Sequence, residues 1–166
     1  MNWNRTRNKS WLAGWLSGLA AFPVSIWIRK QEQKICLLGV PLEVAELEIA
    51  RKAGVRHPER VRVLAVARVP FPLDQVARQL ARWSRRFPFA ALGLSARYGI
   101  YLQAGIDCRA EILAHELVHT GQYERLGGVV GFLRAYLRDC IEHGYLNAVM
   151  EEEARTTGAQ ALEGTE

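Results

Sequence analysis

The residues with the clearest chemical meaning are two histidines and a glutamate in the sequence His115-Glu116-Leu117-Val118-His119. On a helix, residues four apart point from the same face, so the imidazoles of His115 and His119 lie side by side. Two imidazoles at this spacing are typical zinc ligands, and a glutamate directly after the first suits a general base acting on water. The motif predicts a Zn2+ site with His115 and His119 as metal ligands and Glu116 as the catalytic residue.

A third metal ligand must come from another part of the chain, because a catalytic zinc usually takes three protein ligands and one open position. The acidic run Glu151-Glu152-Glu153 is the favoured source, and His143 and Asp139 are the alternatives. Acidic residues at a helix N-terminus are also stabilised by the helix dipole without any metal. The residues themselves favour a glutamate ligand and leave its position within the run open.

Hydrophobic periodicity, glycines and prolines predict the elements that position these side chains. In chain order they are helices over 31–39 and from 42 to a stop at Gly54, a strand over 60–69, a helix over 74–87, a strand pair over 89–94 and 98–103, the histidine helix, and helices over 129–143 and 147–157. Asp107 is predicted to cap the histidine helix and Gly127-Gly128 to end it. The mixture predicts an α+β fold, followed by a frayed polar tail after Gly158.

The charge distribution raises the question of a nucleic-acid partner. Residues 1–110 carry eighteen Lys and Arg against seven Asp and Glu, whereas residues 111–166 carry four against ten. Arg78, Arg82, Arg85 and Arg86 form a basic stripe on the predicted helix 74–87. Because no nucleic-acid-binding motif accompanies the stripe, we interpret it as a solvated helix face and expect no nucleic-acid partner.

The N-terminus and the cysteines bear on location. Residues 11–28 are uncharged and lie between basic residues, which suits membrane association, an interfacial helix or a hydrophobic lead-in to the core. The cysteines are odd in number, widely spaced and without a C-x-x-C pair: Cys36, Cys108 and Cys140. This argues against a disulfide framework. A cytoplasmic protein, with possible membrane association through residues 11–28, is the resulting prediction.

The histidine helix and the sequence after it resemble the minimal gluzincin-like metallopeptidases of bacteria. The resemblance covers about residues 31–155 and is specific only in its second half. Besides the histidine motif, it rests on residues 122–127, Phe132-Leu133, Tyr136-Leu137, Gly144-Tyr145, Asn147 and Glu151-x-Glu153-Ala154, with looser similarity over 54–63 and 99–102.

The resemblance implies a zincin-like core, in which a small sheet supports the histidine helix and a later helix supplies a glutamate ligand. In related gluzincins such as HtpX-like proteases, that glutamate lies three residues before an alanine, which selects Glu151. The thermolysin register selects Glu153, the fallback. These families also place an aspartate four residues after the ligand, where this chain has Arg155 or Thr157.

The implied function is zinc-dependent hydrolysis of a peptide or protein by residues 31–157, between a Trp-rich segment (1–30) and a polar tail (158–166). The strand over 98–103 is expected to pair with the substrate backbone. Tyr145 and Tyr123 are candidates for stabilising the oxyanion, although a buried core position is favoured for each. Gln122 either supports His119 or lies on the helix surface. The alternative function is a non-catalytic domain, stabilised by zinc or peripheral to a membrane, that binds a partner.

Overall fold

The computed structural model describes residues 22–70 and 91–164, which form five helices and a mixed four-stranded sheet. The predicted α+β class is confirmed. In chain order the elements are α1 (22–38), β1 (Val40–Pro41), α2 (Val44–Lys52), β2 (Arg62–Val66), β3 (Gly93–Ala96), β4 (Gly99–Gln103), α3 (Arg109–Arg125), α4 (Val129–His143) and α5 (Val149–Leu162). Short 3-10 turns at Pro58–Arg60 and Tyr145–Asn147 precede β2 and α5.

The sheet has the strand order β1-β2-β4-β3, with β2 and β4 parallel and the other pairs antiparallel. The predicted strand pair exists, but its first strand is Gly93–Ala96 rather than 89–94. The register differs because the connecting turn lies at Arg97 and Tyr98, not at 95–97. Arg97 has a left-handed φ of 62°, and its carbonyl accepts a hydrogen bond of 2.9 Å from the Thr120 hydroxyl on α3.

Helices cover the sheet on both faces, as the burial along β4 shows. Ile100 and Leu102 belong to a core shared with α2, α3 and α5, whereas Tyr101 packs with α1 and α4. Alternate residues of a strand point to opposite faces, so β4 is buried on both sides. The Tyr101 hydroxyl donates a hydrogen bond of 3.1 Å to Gln31 and ties the sheet to α1.

The histidine helix α3 is the central helix of the described fold. It contacts β3 and β4 as well as α2, α4 and α5, and every residue from Glu116 to Tyr123 is buried. An ordinary surface helix keeps a solvated stripe along one side. Over the two turns from Glu116 to Tyr123, α3 has no solvated stripe, because the sheet and the other helices surround it.

Three helix boundaries differ from the prediction. Residues 22–38 form one helix that crosses the expected division at residue 30, and Ile28 within it is buried. Cys108, not Asp107, occupies the N-cap position of α3, and its side chain makes no capping hydrogen bond. The last helix continues past Gly158 to Leu162, because Gly158 packs against α3 instead of ending the helix. Residues 158–162 of the expected tail are therefore part of the packed domain.

The predicted helix 74–87 and its basic stripe lie outside the described residues, as does the uncharged run up to residue 21. Within the described ranges, no helix combines the length and hydrophobicity that crossing a membrane requires. All three cysteines are free thiols. The cytoplasmic location and the membrane association stay predictions.

Candidate metal centre

The two motif histidines converge from one face of α3. Their Nε2 atoms lie 3.1 Å apart, and their rings meet edge to face with centroids 4.8 Å apart. His119 is buried, whereas the His115 side chain keeps 22% of its surface exposed. One ring is thus fixed in the core, and the other borders solvent.

Glu151 reaches the same point from the first turn of α5. Its Oε2 lies 3.5 Å from His115 Nε2 and its Oε1 lies 3.4 Å from His119 Nε2, while the residue is only 2% exposed. Close packing of α5 on α3 makes this approach possible. A Cβ on Gly158 would lie 3.1 Å from the backbone nitrogen of His115, so a glycine lets the two helix backbones meet.

The spacing of these donor atoms suits a metal ion. A tetrahedral ion with bonds of about 2.0–2.1 Å holds its ligand atoms about 3.3 Å apart. The distances of 3.1, 3.4 and 3.5 Å within the group are close to that value, although the last two run to different Glu151 oxygens. One donor atom from each residue gives a set whose members lie within 4.8 Å of one another. His115, His119 and Glu151 can therefore hold a metal ion, and they are the one such group that residues 22–70 and 91–164 contain.

The other candidate ligands have different partners. Glu153 accepts hydrogen bonds from Gln122 and Arg125. Asp139 accepts the backbone N–H of Met150 at 2.8 Å, at the start of α5, and lies 2.9 Å from Nδ1 of the exposed His143. The structure thus brings Glu151 to the histidines and holds Glu153, Asp139 and His143 in other contacts.

Tyr136 on α4 contacts Glu151 directly. Its hydroxyl donates a hydrogen bond of 2.6 Å to Glu151 Oε1. Burial alone would raise the pKa of Glu151, but hydrogen bonds with His115 and His119, together with that of Tyr136, lower it well below the usual range. The carboxylate is therefore held in its charged form, which is the form that binds a cation.

Gln122 supports His119 and does not lie on the helix surface. It is fully buried one turn after His119, and its Oε1 lies 2.8 Å from His119 Nδ1. Its Nε2 donates to the Met150 carbonyl and to Glu153 Oε2, each at 3.0 Å. Gln122 therefore links the inner histidine to the backbone and side chains of α5.

Glu116 lies beside the metal-binding group, against strand β3. The residue is 7% exposed, and the Ser95 backbone N–H donates a hydrogen bond to its carboxylate. Burial raises the pKa of Glu116, while the neighbouring His119 and His115 oppose the shift. The carboxyl can thus take up a proton at a higher pH than an exposed glutamate.

Gly93 sets how closely β3 approaches Glu116. A Cβ on Gly93 would lie 2.7 Å from Glu116 Oε1 and 2.7 Å from a methyl of Ile112, well inside van der Waals contact. The missing side chain is therefore what leaves room for the Glu116 carboxylate at the strand. A glycine in a short strand signals such a close approach, but the sequence does not tell which residue it admits.

The expectation that β4 pairs with a substrate is wrong. β4 lies inside the sheet, hydrogen-bonded to β2 on one side and to β3 on the other, so neither side is available. β3 pairs with β4 on one side. Its Ser95 N–H binds Glu116, and its Ser95 carbonyl accepts the Tyr123 hydroxyl at 3.2 Å. The sheet is joined to α3 at this point.

The two tyrosines considered as candidates for stabilising an oxyanion differ in their surroundings. Tyr123 is buried between Ser95 and a stacked Phe132, so it belongs to the core. Tyr145 is partly buried beside Glu151, and burial together with that carboxylate raises its pKa. Tyr136, for which no role was predicted, is the tyrosine whose hydroxyl donates a hydrogen bond to Glu151 Oε1.

Comparisons of the chain with protein-family models, with curated proteins and with solved structures gave no match.

Proposed function

We propose that the protein is a zinc-dependent peptidase with a zincin-like core of the gluzincin type. The observation that carries the proposal is the convergence of His115, His119 and Glu151, with the buried Glu116 on the same helix. Two imidazoles and one carboxylate are a ligand set of catalytic zinc sites. The same ligand set on a histidine helix and a later helix is what the resemblance to gluzincins implies.

The chain's own residues would divide the work of peptide hydrolysis. When bound, zinc supplies a Lewis acid that acidifies water and polarises a carbonyl group. Glu116 accepts the proton of the attacking water and then delivers it to the leaving amine. Its buried position beside the two histidines keeps bulk water from competing for that proton between the two steps. Tyr145, which lies near Glu151, is the remaining candidate donor to developing charge on the substrate.

Zinc that only joins α3 to α5 is the competing function, since the ligands come from both helices. A structural zinc site usually closes with a fourth protein ligand. Among the described residues, Glu153 and His143 are the expected fourth ligands, and both are held in other contacts. A glutamate at position 116 also serves no need of a structural site. Both features favour the peptidase.

The test measures the zinc content of the wild type and of Glu116→Gln, together with their hydrolysis of a broad peptide library. The wild type should bind one zinc and cleave, and Glu116→Gln should keep the zinc and lose cleavage. Glu111→Gln is the matched control, because it makes the same change at an exposed position of α3. A zinc-loaded wild type without any cleavage that Glu116→Gln abolishes would overturn the peptidase proposal.

Paired substitutions test the third ligand. Glu151→Gln should lose zinc, because the amide is a much weaker ligand than a carboxylate. Glu153→Gln should retain it, since Glu153 contacts Gln122 and Arg125 instead of the histidine Nε2 atoms. Zinc retained in the first variant and lost in the second would reverse the assignment.

A further inference from the structure

Gln122 has three hydrogen-bonding contacts that together decide where the proton of His119 resides. We propose that Gln122, held in place by Met150, Glu153 and Arg125, fixes the neutral His119 ring in the tautomer with its proton on Nδ1. Gln122 is then a positioning residue, and it acts on the metal through His119. The inference rests on the proposed function, because it assumes that His119 Nε2 binds zinc.

The orientation of the Gln122 amide follows from its partners. The two ends of a carboxamide have the same shape but opposite roles, since the oxygen accepts hydrogen bonds and the nitrogen donates them. Two acceptors lie 3.0 Å from one end, the Met150 carbonyl and a Glu153 carboxylate oxygen. Only the nitrogen can face them. The reversed amide would place oxygen against oxygen at both contacts.

The tautomer of His119 follows from that orientation. With its nitrogen turned to α5, Gln122 presents its oxygen to His119 Nδ1 at 2.8 Å. An acceptor at this distance requires a proton on Nδ1. A doubly protonated ring can also donate from Nε2 to the Glu151 carboxylate at 3.4 Å. In the neutral ring the single proton stays with the closer acceptor, Gln122 Oε1 at 2.8 Å, and Nε2, which faces His115 and Glu151, carries the lone pair. This is the form in which histidine binds a metal.

Arg125 holds the Glu153 carboxylate in its position beside the Gln122 amide. Its Nη2 lies 2.7 and 2.9 Å from the two carboxylate oxygens of Glu153. The pair is partly exposed, with 46% and 35% of the two side chains accessible, so by itself it adds little stability. Its effect is to hold a charged acceptor beside the amide of Gln122. Gln122 is fully buried, so a reversed amide would have no water to compensate for its lost hydrogen bonds.

The decisive measurement is nitrogen NMR of the metal-free protein labelled at histidine, at an alkaline pH where the imidazoles are neutral. The wild type should show His119 with the proton on Nδ1. Gln122→Met should lose this preference, and its zinc affinity should fall about 10–100-fold, as is usual when a partner of a ligating histidine is removed. Gln160→Met, the same change at an exposed position of α5, should alter neither quantity.

The possible results separate this proposal from the peptidase proposal. The Gln122 proposal is overturned if the neutral His119 of the wild type carries its proton on Nε2. It is also overturned if Gln122→Met folds and leaves both the His119 tautomer and the zinc affinity unchanged. If Gln122→Met does not fold, the tautomer of the wild type decides alone, and a neutral His119 with its proton on Nε2 refutes the proposal. A wild type with the expected tautomer that cleaves no peptide refutes the peptidase proposal alone.

Discussion

The contact between Gly93 and Glu116 leads to a sharp prediction for Gly93→Ala. The new Cβ would lie 2.7 Å from Glu116 Oε1 and 2.8 Å from Glu116 Cγ. Favourable contacts between carbon atoms lie at about 3.5–4.0 Å, so the carboxylate must move by about 0.8 Å. The colliding atoms all belong to side chains, those of Glu116 and Ile112, so the side chains rather than the backbone of α3 should give way.

If the protein is the peptidase proposed above, the displacement should act on its catalysis more than on metal binding. A misplacement of about 1 Å can cost about 10²-fold in rate, so kcat/KM should fall by about 10–100-fold. Overpacking should also cost about 1–3 kcal/mol in the free energy of unfolding. Zinc affinity should stay near that of the wild type, because none of the close contacts of the added Cβ involves His115, His119 or Glu151.

The assay measures kcat/KM on any cleaved peptide, zinc affinity by competition with a chelator, and stability by denaturant unfolding. Gly121→Ala is the matched control, since its Cβ would lie 3.0 Å from the Gly54 carbonyl on a side of α3 away from the metal-binding group. It should perturb stability while sparing kcat/KM. A Gly93→Ala protein with unchanged kcat/KM, and a structure showing Glu116 in its original place, would refute the reasoning.

Three further predictions concern the metal and the surface. Tyr136→Phe removes the 2.6 Å hydrogen bond to Glu151 and should weaken zinc binding by about 10–100-fold in a chelator competition; unchanged affinity would contradict this. Burial alone would lower the pKa of His119, but Glu151 and Glu116 raise it. The protonated ring therefore stabilises the metal-free fold fully below the ordinary histidine pKa of about 6.5, and this contribution is lost as pH rises through the raised pKa. The melting temperature without zinc should accordingly fall at alkaline pH and the gain on adding zinc should increase, whereas a pH-independent gain would speak against it. Phe22 and Ile26 are exposed on α1 and continue the uncharged run, so replacing both with Ser should reduce flotation of the full chain with anionic vesicles; undiminished flotation would exclude these side chains as the contact.

The sequence predicted those features that depend on contacts within one helix. The spacing of His115 and His119 already fixes their common face, and the helix Val129–His143 ends where Gly144 takes a φ of 80°. These features follow from the helical period and from the conformational freedom of glycine. No other part of the chain is needed to determine them.

The sequence pattern alone could also have selected Glu151 over Glu153 as the third ligand. Positions 151, 154, 158 and 161 follow the spacing of one helix face, and the last three are Ala154, Gly158 and Ala161, all buried. Small residues along one face mark the side on which two helices approach closely. Glu153 lies on a different side of the helix. The small-residue stripe thus points to Glu151 independently of any family register.

Features that depend on distant contacts could not be predicted. Tyr136 reaches Glu151 only because α4 and α5 fold back on each other after Gly144. The strand over 93–96 takes its register from a turn fixed by Thr120, which lies 23 residues from Arg97. Gly158 resembles a helix stop in sequence, but its backbone lies against His115, and burial overrides its low helix propensity.

The burial of α3 on all sides constrains how this protein can change in evolution. From Glu116 to Tyr123 every position serves the core, the metal-binding group or both, so most substitutions there should lower fitness by destabilising the fold. A scan of all substitutions should therefore show eight consecutive intolerant positions. A surface helix would instead show tolerance that varies with a period of three to four residues. If the protein is the peptidase proposed above, a new substrate specificity would have to arise on α4, on α5 and in the turn between them, where Leu146 and Val149 are exposed.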